Sequence, residues 1–188
     1  VKAYVDASGG GSALVLLSSQ SASNNSSIDF ASGIDSTYTE YEIRVRNLIP
    51  VTEGALLFRT STDGGSSYDA GASDYQYAMN YVVAGTATAS VHQSSGAAQI
   101  QMALGTVNGI GNAAGESGLS GVIRLYQPSA SLYCLMRFEL AHVDPNGNVR
   151  HFTGAGIRKS AADVNGVRFI MNSGNITSGS FSLYGVTS

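Results

Sequence analysis

Short runs in which apolar and polar residues alternate, broken by Gly, Ser, Asn and Asp, recur along the whole chain. A period of two places alternate side chains on opposite faces of a strand, one dry and one wet. Tyr41, Ile43 and Val45 alternate with Glu42, Arg44 and Arg46, which predicts a strand with one dry and one charged face. Toward the end, Val167, Phe169 and Met171 predict one strand, and Phe181 and Leu183 predict a second over Ser180–Tyr184. Asn172–Asn175 between them supplies residues that tolerate positive φ, so the pair reads as a hairpin whose apolar residues belong to the core.

The same reading places strands near 13–19, 26–31, 39–48, 55–62, 74–84, 97–104, 119–127, 132–143, 148–156, 163–171 and 179–186. Short strands at this spacing, with turn signals between them, are the pattern of a β-sandwich or barrel. No segment carries helical periodicity beyond one turn at Ala161–Val164. Two further hairpins are signalled. Phe58–Tyr68 contains Asp63-Gly64-Gly65, and Val143–Val149 contains Pro145-Asn146-Gly147. The two halves of the chain are weakly alike, which fits a jelly roll. Residues 1–12 read as a flexible Gly-rich arm and 13–188 as a single β-sandwich domain. Residues 105–118 read as a long Gly-rich loop or an exposed arm.

Composition sharpens this picture. Charged residues make up 12% of 188 and the net charge is −3, with Gly and Ser filling the gap. That is about half the usual charged share of globular domains, and it describes a turn-rich β protein whose weakly charged surface fits packing against copies of itself. Lys2 and Lys159 are the lysines among ten basic residues, and no basic cluster exists, so no nucleic-acid partner is expected. No apolar run approaches the roughly 18 residues of a membrane span. Val1–Asp6 lacks the apolar core of a signal peptide, giving the expectation of a protein made and used without export.

Candidate chemistry is sparse. Cys134 sits in the apolar run Leu132–Phe138 and reads as an inert core thiol. His142 and His151 flank a predicted turn and could face each other as metal ligands, but no third ligand is evident. Asp63, Asp69 and Asp74 share a Gly/Ser-rich region that could hold calcium, at a spacing unlike the usual alternating aspartates. The thirteen acids are spread out and sit mostly in turns, so no hydrolytic pair is apparent and no catalytic residue, cofactor or metal is assigned. Tyr68, Tyr75, Tyr77 and Tyr81 lie close together, with Tyr75 and Tyr77 on one face of a strand. They could pack on a core, anchor a subunit interface, or stack on a sugar.

Several stretches together resemble small structural proteins of tailed bacteriophages. They are Ile28–Tyr38, the strand Tyr41–Arg46, Leu57–Gly71, and the closing Gly166–Gly185. The resemblance runs from about residue 26 to the end and is weakest over 85–118. It implies a jelly-roll-like antiparallel β-sandwich of about ten strands with little or no helix, often trimeric, located in the virion. Two jobs fit that location. One is a non-enzymatic capsid cement or decoration protein that clamps major capsid protein subunits. The other is a tail-fibre or receptor-binding tip that recognises a host-surface glycan. The chain carries no heptad shaft or collagen-like run, which a fibre needs, so the cement job is the expectation.

Overall fold

A computed structural model describes residues 13–85, 89–105 and 108–187. The predicted arm at 1–12 lies outside the described residues, as do Thr106 and Val107 of the Gly-rich loop. The described chain is all β, with twelve strands in two antiparallel sheets. They are β1 (Leu14–Asn25), β2 (Ser27–Phe30), β3 (Glu40–Pro50), β4 (Leu56–Ser61), β5 (Tyr75–Val83), β6 (Ser90–Ala97), β7 (Ile100–Gln101), β8 (Leu119–Tyr126), β9 (Leu135–Val143), β10 (Val149–Arg158), β11 (Gly166–Met171) and β12 (Ile176–Val186).

The larger sheet has the order β1-β12-β3-β8-β9-β10-β5-β6, and the smaller has β2-β11-β4-β7. Within this order β1 pairs β12, β2 pairs β11, β3 pairs β8 and β4 pairs β7. Those eight strands form a ribbon of antiparallel pairs rolled into two four-stranded sheets, which is a jelly roll. The remaining four strands are two insertions. β5 and β6 enter between β4 and β7, and β9 and β10 between β8 and β11. The β9–β10 pair joins the free edge of β8 and the β5–β6 pair adds beyond β10, which widens the larger sheet to eight strands.

The dry faces predicted from alternation are the ones buried. Tyr41, Ile43 and Val45 of β3 are at most 1% exposed. Phe169 of β11 meets Phe58 of β4 at 5.3 Å between ring centroids and Phe181 of β12 at 5.2 Å. This triad joins the two sheets across the core. It also corrects the predicted hairpin at the end of the chain, because β11 pairs β2 and β4 while β12 pairs β1 and β3. Alternation assigns a face to a strand but no partner, and two dry faces can meet across a sandwich as readily as they can lie side by side.

The other turn signals divide. Val143–Val149 is a hairpin, with Asp144 N donating to Asn148 O at 2.9 Å and β9 continuing into β10 as its antiparallel partner. Asp63–Gly65 is a turn, with Gly64 and Gly65 at φ 69° and 82°, where glycine carries no steric cost. The expected Phe58–Tyr68 hairpin does not form, because the chain beyond this turn crosses to β5 in the other sheet. The Asp63 carboxylate holds the turn by accepting from the Ser67 hydroxyl and amide and the Ser61 hydroxyl, which keeps its pKa down at about 2.

Three local expectations also change. The strand predicted at 97–104 reduces to Ile100–Gln101, and a polar strand not anticipated from pattern, β6, precedes it at the sheet edge. Ala161–Val164 is not helical; Val164 is buried and its amide donates to Pro128 O at 2.9 Å. The described part of the Gly-rich loop is no exposed arm. Ile110 is fully buried, its amide donates to Gly54 O at 2.9 Å, and Gly111 N donates to Val143 O at 3.0 Å. In β3, Glu42 belongs to the polar face yet is only 3% exposed, because Arg44 and Arg124 close over it at 2.8 and 2.9 Å.

Candidate functional site

The four tyrosines singled out by sequence do not make one exposed platform. Tyr75, Tyr77 and Tyr81 share the core-facing side of β5. Tyr75 is fully buried, and its hydroxyl oxygen accepts from Thr60 N at 2.8 Å. Burial pushes its phenol pKa up, as it does for Tyr77. Tyr81 stacks on Phe152 at 5.7 Å, and the Tyr77 hydroxyl lies 3.1 Å from His92 Nε2. Tyr68 stands apart in the connection from β4 to β5. Its ring lies 4.0 Å over the Arg168 guanidinium, which Asp29 grips at 2.8 and 2.6 Å. Its hydroxyl is buried without a hydrogen-bond partner among the described residues.

The other candidate groups are likewise held in local structure. His142 pairs with Arg150 in the ladder and His151 with Ala141, so the two imidazoles face opposite sides of the sheet and cannot share a metal. Asp63 caps its turn, Asp69 takes the Arg158 guanidinium, and Asp74 accepts from Gly71 N at 2.6 Å, so each aspartate of the suggested calcium loop serves its own contact. No group of three or more His, Cys, Asp or Glu among the described residues could hold a metal ion. Cys134 is 1% exposed, and burial raises its thiol to about 12, so the reactive thiolate is suppressed.

His142 carries a pH prediction. It stacks on Phe152 at 5.3 Å, its Nε2 is buried without a partner, and burial pulls its pKa below 6.5. The folded chain therefore binds this proton less readily than the unfolded chain. Stability is unaffected above about pH 6.5 and falls as the pH drops from there toward the folded value. His142→Phe is expected to fold equally well or better at pH 7, by up to about 1 kcal/mol, since the orphaned nitrogen disappears. Urea midpoints measured from pH 7.5 to 5 should slope down in the wild type, with that part of the slope missing in the variant.

The feature that sequence reasoning did not single out is the outer face of the eight-stranded sheet. Register aligns Glu42, Arg124, Arg137, Ala155, Ala78 and Gln93 in one row across six strands. The next row runs Arg44, Val122, Glu139, Thr153, Asn80 and Val91. Over β10 and β5 the row shrinks to two alanines, leaving a shallow trough. On the core side of β10, Gly154 and Gly156 are small as well. A side chain at Gly154 would come within 2.3 Å of the Phe138 ring and 2.7 Å of Met79. Glycine there lets both core residues press against the strand.

Four cavities follow one another across this outer face. One of about 320 Å³ lies over Gln76, Ala78, Gln93, Leu135, Ala155 and Ile157. The next, about 530 Å³, shares Ala78, Gln93 and Ala155 and adds Asn80, Arg137 and Thr153. A third of about 250 Å³ shares Arg137 and Thr153 and reaches Arg124, and the fourth, about 320 Å³, lies between Arg124, Glu40 and Leu14. The first two fall in the size range of small-ligand sites. Arg124 is tied to Glu42 at 2.9 Å and Glu40 at 3.6 Å, and Glu139 lies 3.4 Å from His151. Arg137, exposed at the middle of the face, forms no ion pair or side-chain hydrogen bond with another described residue. No protein-family model, curated protein or solved structure matches this chain.

Proposed function

We propose that this chain is a non-enzymatic structural protein of a tailed-phage virion, an external cement or decoration protein that binds major capsid protein subunits as a homotrimer and stabilises the shell. The observation that carries the reading is the chemistry of the two edges of the eight-stranded sheet. Neither β1 nor β6 contains Lys, Arg, Asp, Glu or Pro. Proteins that live alone blunt their sheet edges with charge, proline or bulges, because an open edge invites another strand. A register shift in each pairing and Lys159 over Ser95 O blunt part of these edges. Ser18–Ser23 and Ser90–Gln93 remain regular and uncharged. Such edges suit main-chain pairing with neighbouring subunits.

Two further points support this reading. Jelly rolls are frequent among viral capsid domains, a likeness of fold and no more than that. Asp29, Glu42, Asp63, Asp69, Asp74 and Asp144 are engaged with arginines or turn donors, which favours structural over catalytic work. A second reading, a receptor-binding tail tip, is favoured by the run of open cavities on the outer sheet face. The test is to mix the purified protein with expanded empty capsids of the phage that encodes it and follow co-sedimentation and position by electron microscopy. Binding at regular shell sites by a trimer is expected. A monomer that ignores capsids and adheres to host cells would overturn the cement reading in favour of the tip.

A further inference from the structure

We propose that the trough over β10 and β5 is a binding site for a carboxylate-bearing saccharide. The inference goes beyond capsid attachment and holds wherever in the virion the protein sits. It starts from Arg137. The adjacent Arg124 is neutralised by Glu42 and Glu40, and the next acid along β9, Glu139, leans toward His151. Arg137 therefore presents an uncompensated guanidinium to the second and third cavities. A guanidinium binds a carboxylate through two parallel hydrogen bonds, and this contact is stronger than one between neutral groups.

The rest of the trough suits sugar rings. Its floor is the directly opposed pair Ala78 and Ala155, a flat apolar patch with no side chain to obstruct a ring face. Its rim carries the neutral amides of Asn80 and Gln93. Each amide offers both donors and an acceptor, as pairs of hydroxyl groups require. The two cavities that share Ala78, Gln93 and Ala155 form one continuous path, so the site has length for more than one ring.

Other polymers fit less well. A peptide adding as a strand needs free main-chain groups, and in the middle of this sheet those of β10 are paired on both sides. A nucleic acid needs a run of cations to meet its phosphates, whereas Glu40, Glu42 and Glu139 intersperse the arginines here.

The experiment is a glycan array containing uronic-acid and sialic-acid oligosaccharides beside carboxyl-reduced counterparts, followed by NMR titration of the best binder on the full chain. Acidic members should bind about tenfold or more tightly than their reduced forms, the scale of one charge-assisted pair. Shifts should centre on Ala78, Asn80, Gln93, Arg137 and Ala155. Arg137→Gln should abolish the preference for the acid, and Ala155→Trp, which fills the floor, should weaken acidic and neutral forms alike. Both sites face solvent on the sheet, and an unchanged thermal transition will show that the variants fold. The proposal fails if no acidic saccharide binds, if the two variants bind as wild type does, if shifts map to another face, or if a hexaglutamate peptide binds better than every saccharide.

Discussion

Replacing Phe169 with alanine is expected to cost about 3–5 kcal/mol of folding stability, among the largest losses available to one core substitution here. Phe169 is fully buried and touches rings from both sheets, Phe58 at 5.3 Å and Phe181 at 5.2 Å. Truncation removes burial of a whole ring and leaves a cavity that neither sheet can close without breaking its ladder. Urea unfolding followed by far-ultraviolet circular dichroism measures it. Because the triad joins the sheets, the variant should still unfold in a single transition, at a much lower midpoint. Val82→Ala, on the outer face at 46% exposure, is the contrast and should stay within about 0.5 kcal/mol. A Phe169→Ala loss below 1 kcal/mol would mean that the two sheets do not share this core.

Arg150→Ala should cost a similar amount, about 3–5 kcal/mol, for a different reason. Asp144 has no exposed side-chain surface, and Arg150 Nε donates to its Oδ2 at 2.7 Å while the amides of Asn146 and Asn148 donate to Oδ1, each at 2.9 Å. Arg150 also reaches Asn108 at 2.6 Å, so the pair ties the β9–β10 turn to the Gly-rich loop. Burial alone would push the Asp144 carboxyl up. The Asn148 amide, Arg150 and the Asn146 amide outweigh burial and hold it below the usual carboxylate value.

In the wild type this stabilising contribution is full above about pH 3.8 and is lost only as the pH falls through the lower folded value. Without Arg150, burial is opposed by the amides alone, and a raised carboxyl pKa makes the variant gain stability as the pH falls. The gap between wild type and Arg150→Ala should therefore narrow between pH 7 and 4. Adding Asp144→Asn to Arg150→Ala should recover more than half of the loss at pH 7, since the buried charge is gone. A gap that stays constant with pH, together with no recovery in the double variant, would show that the charge of Asp144 is not what Arg150 offsets.

Much of the architecture was legible in local pattern. The alternation of Tyr41, Ile43 and Val45, or of Val167, Phe169 and Met171, follows from side-chain geometry along one strand and needs no partner to be read. Pro145-Asn146-Gly147 encodes its own turn, and the β9–β10 hairpin follows because its partner is next in the chain. Pairing between distant strands was not legible. The closing stretch resembles a hairpin because adjacency is the default partner for a strand. It is divided between sheets, with Phe169 and Phe181 both fully buried and meeting across the core at 5.2 Å. β6 is not legible either, because an edge strand need bury little and Ser90–Ala97 carries almost no apolar signal.

The candidate site shows the same division. The tyrosines stood out because aromatic clusters are visible in one dimension, yet three of them serve the core. Arg137, Ala78 and Ala155 carry no signal in sequence, being an ordinary arginine on a strand and two small residues far from each other. The sequence by itself determined that the chain is a turn-rich, weakly charged β protein, which residues of most strands face its core, and that Cys134 would be buried. Only the tertiary structure decided that two inserted hairpins widen one sheet of the jelly roll to eight strands, and that Arg137, Ala155 and Ala78 stand in one row on its outer face. Face and turn are properties of a few consecutive residues, whereas register between β5 and β10 is set by packing of strands far apart in the chain, where one step of slip by β5 would turn Ala78 inward and Met79 outward.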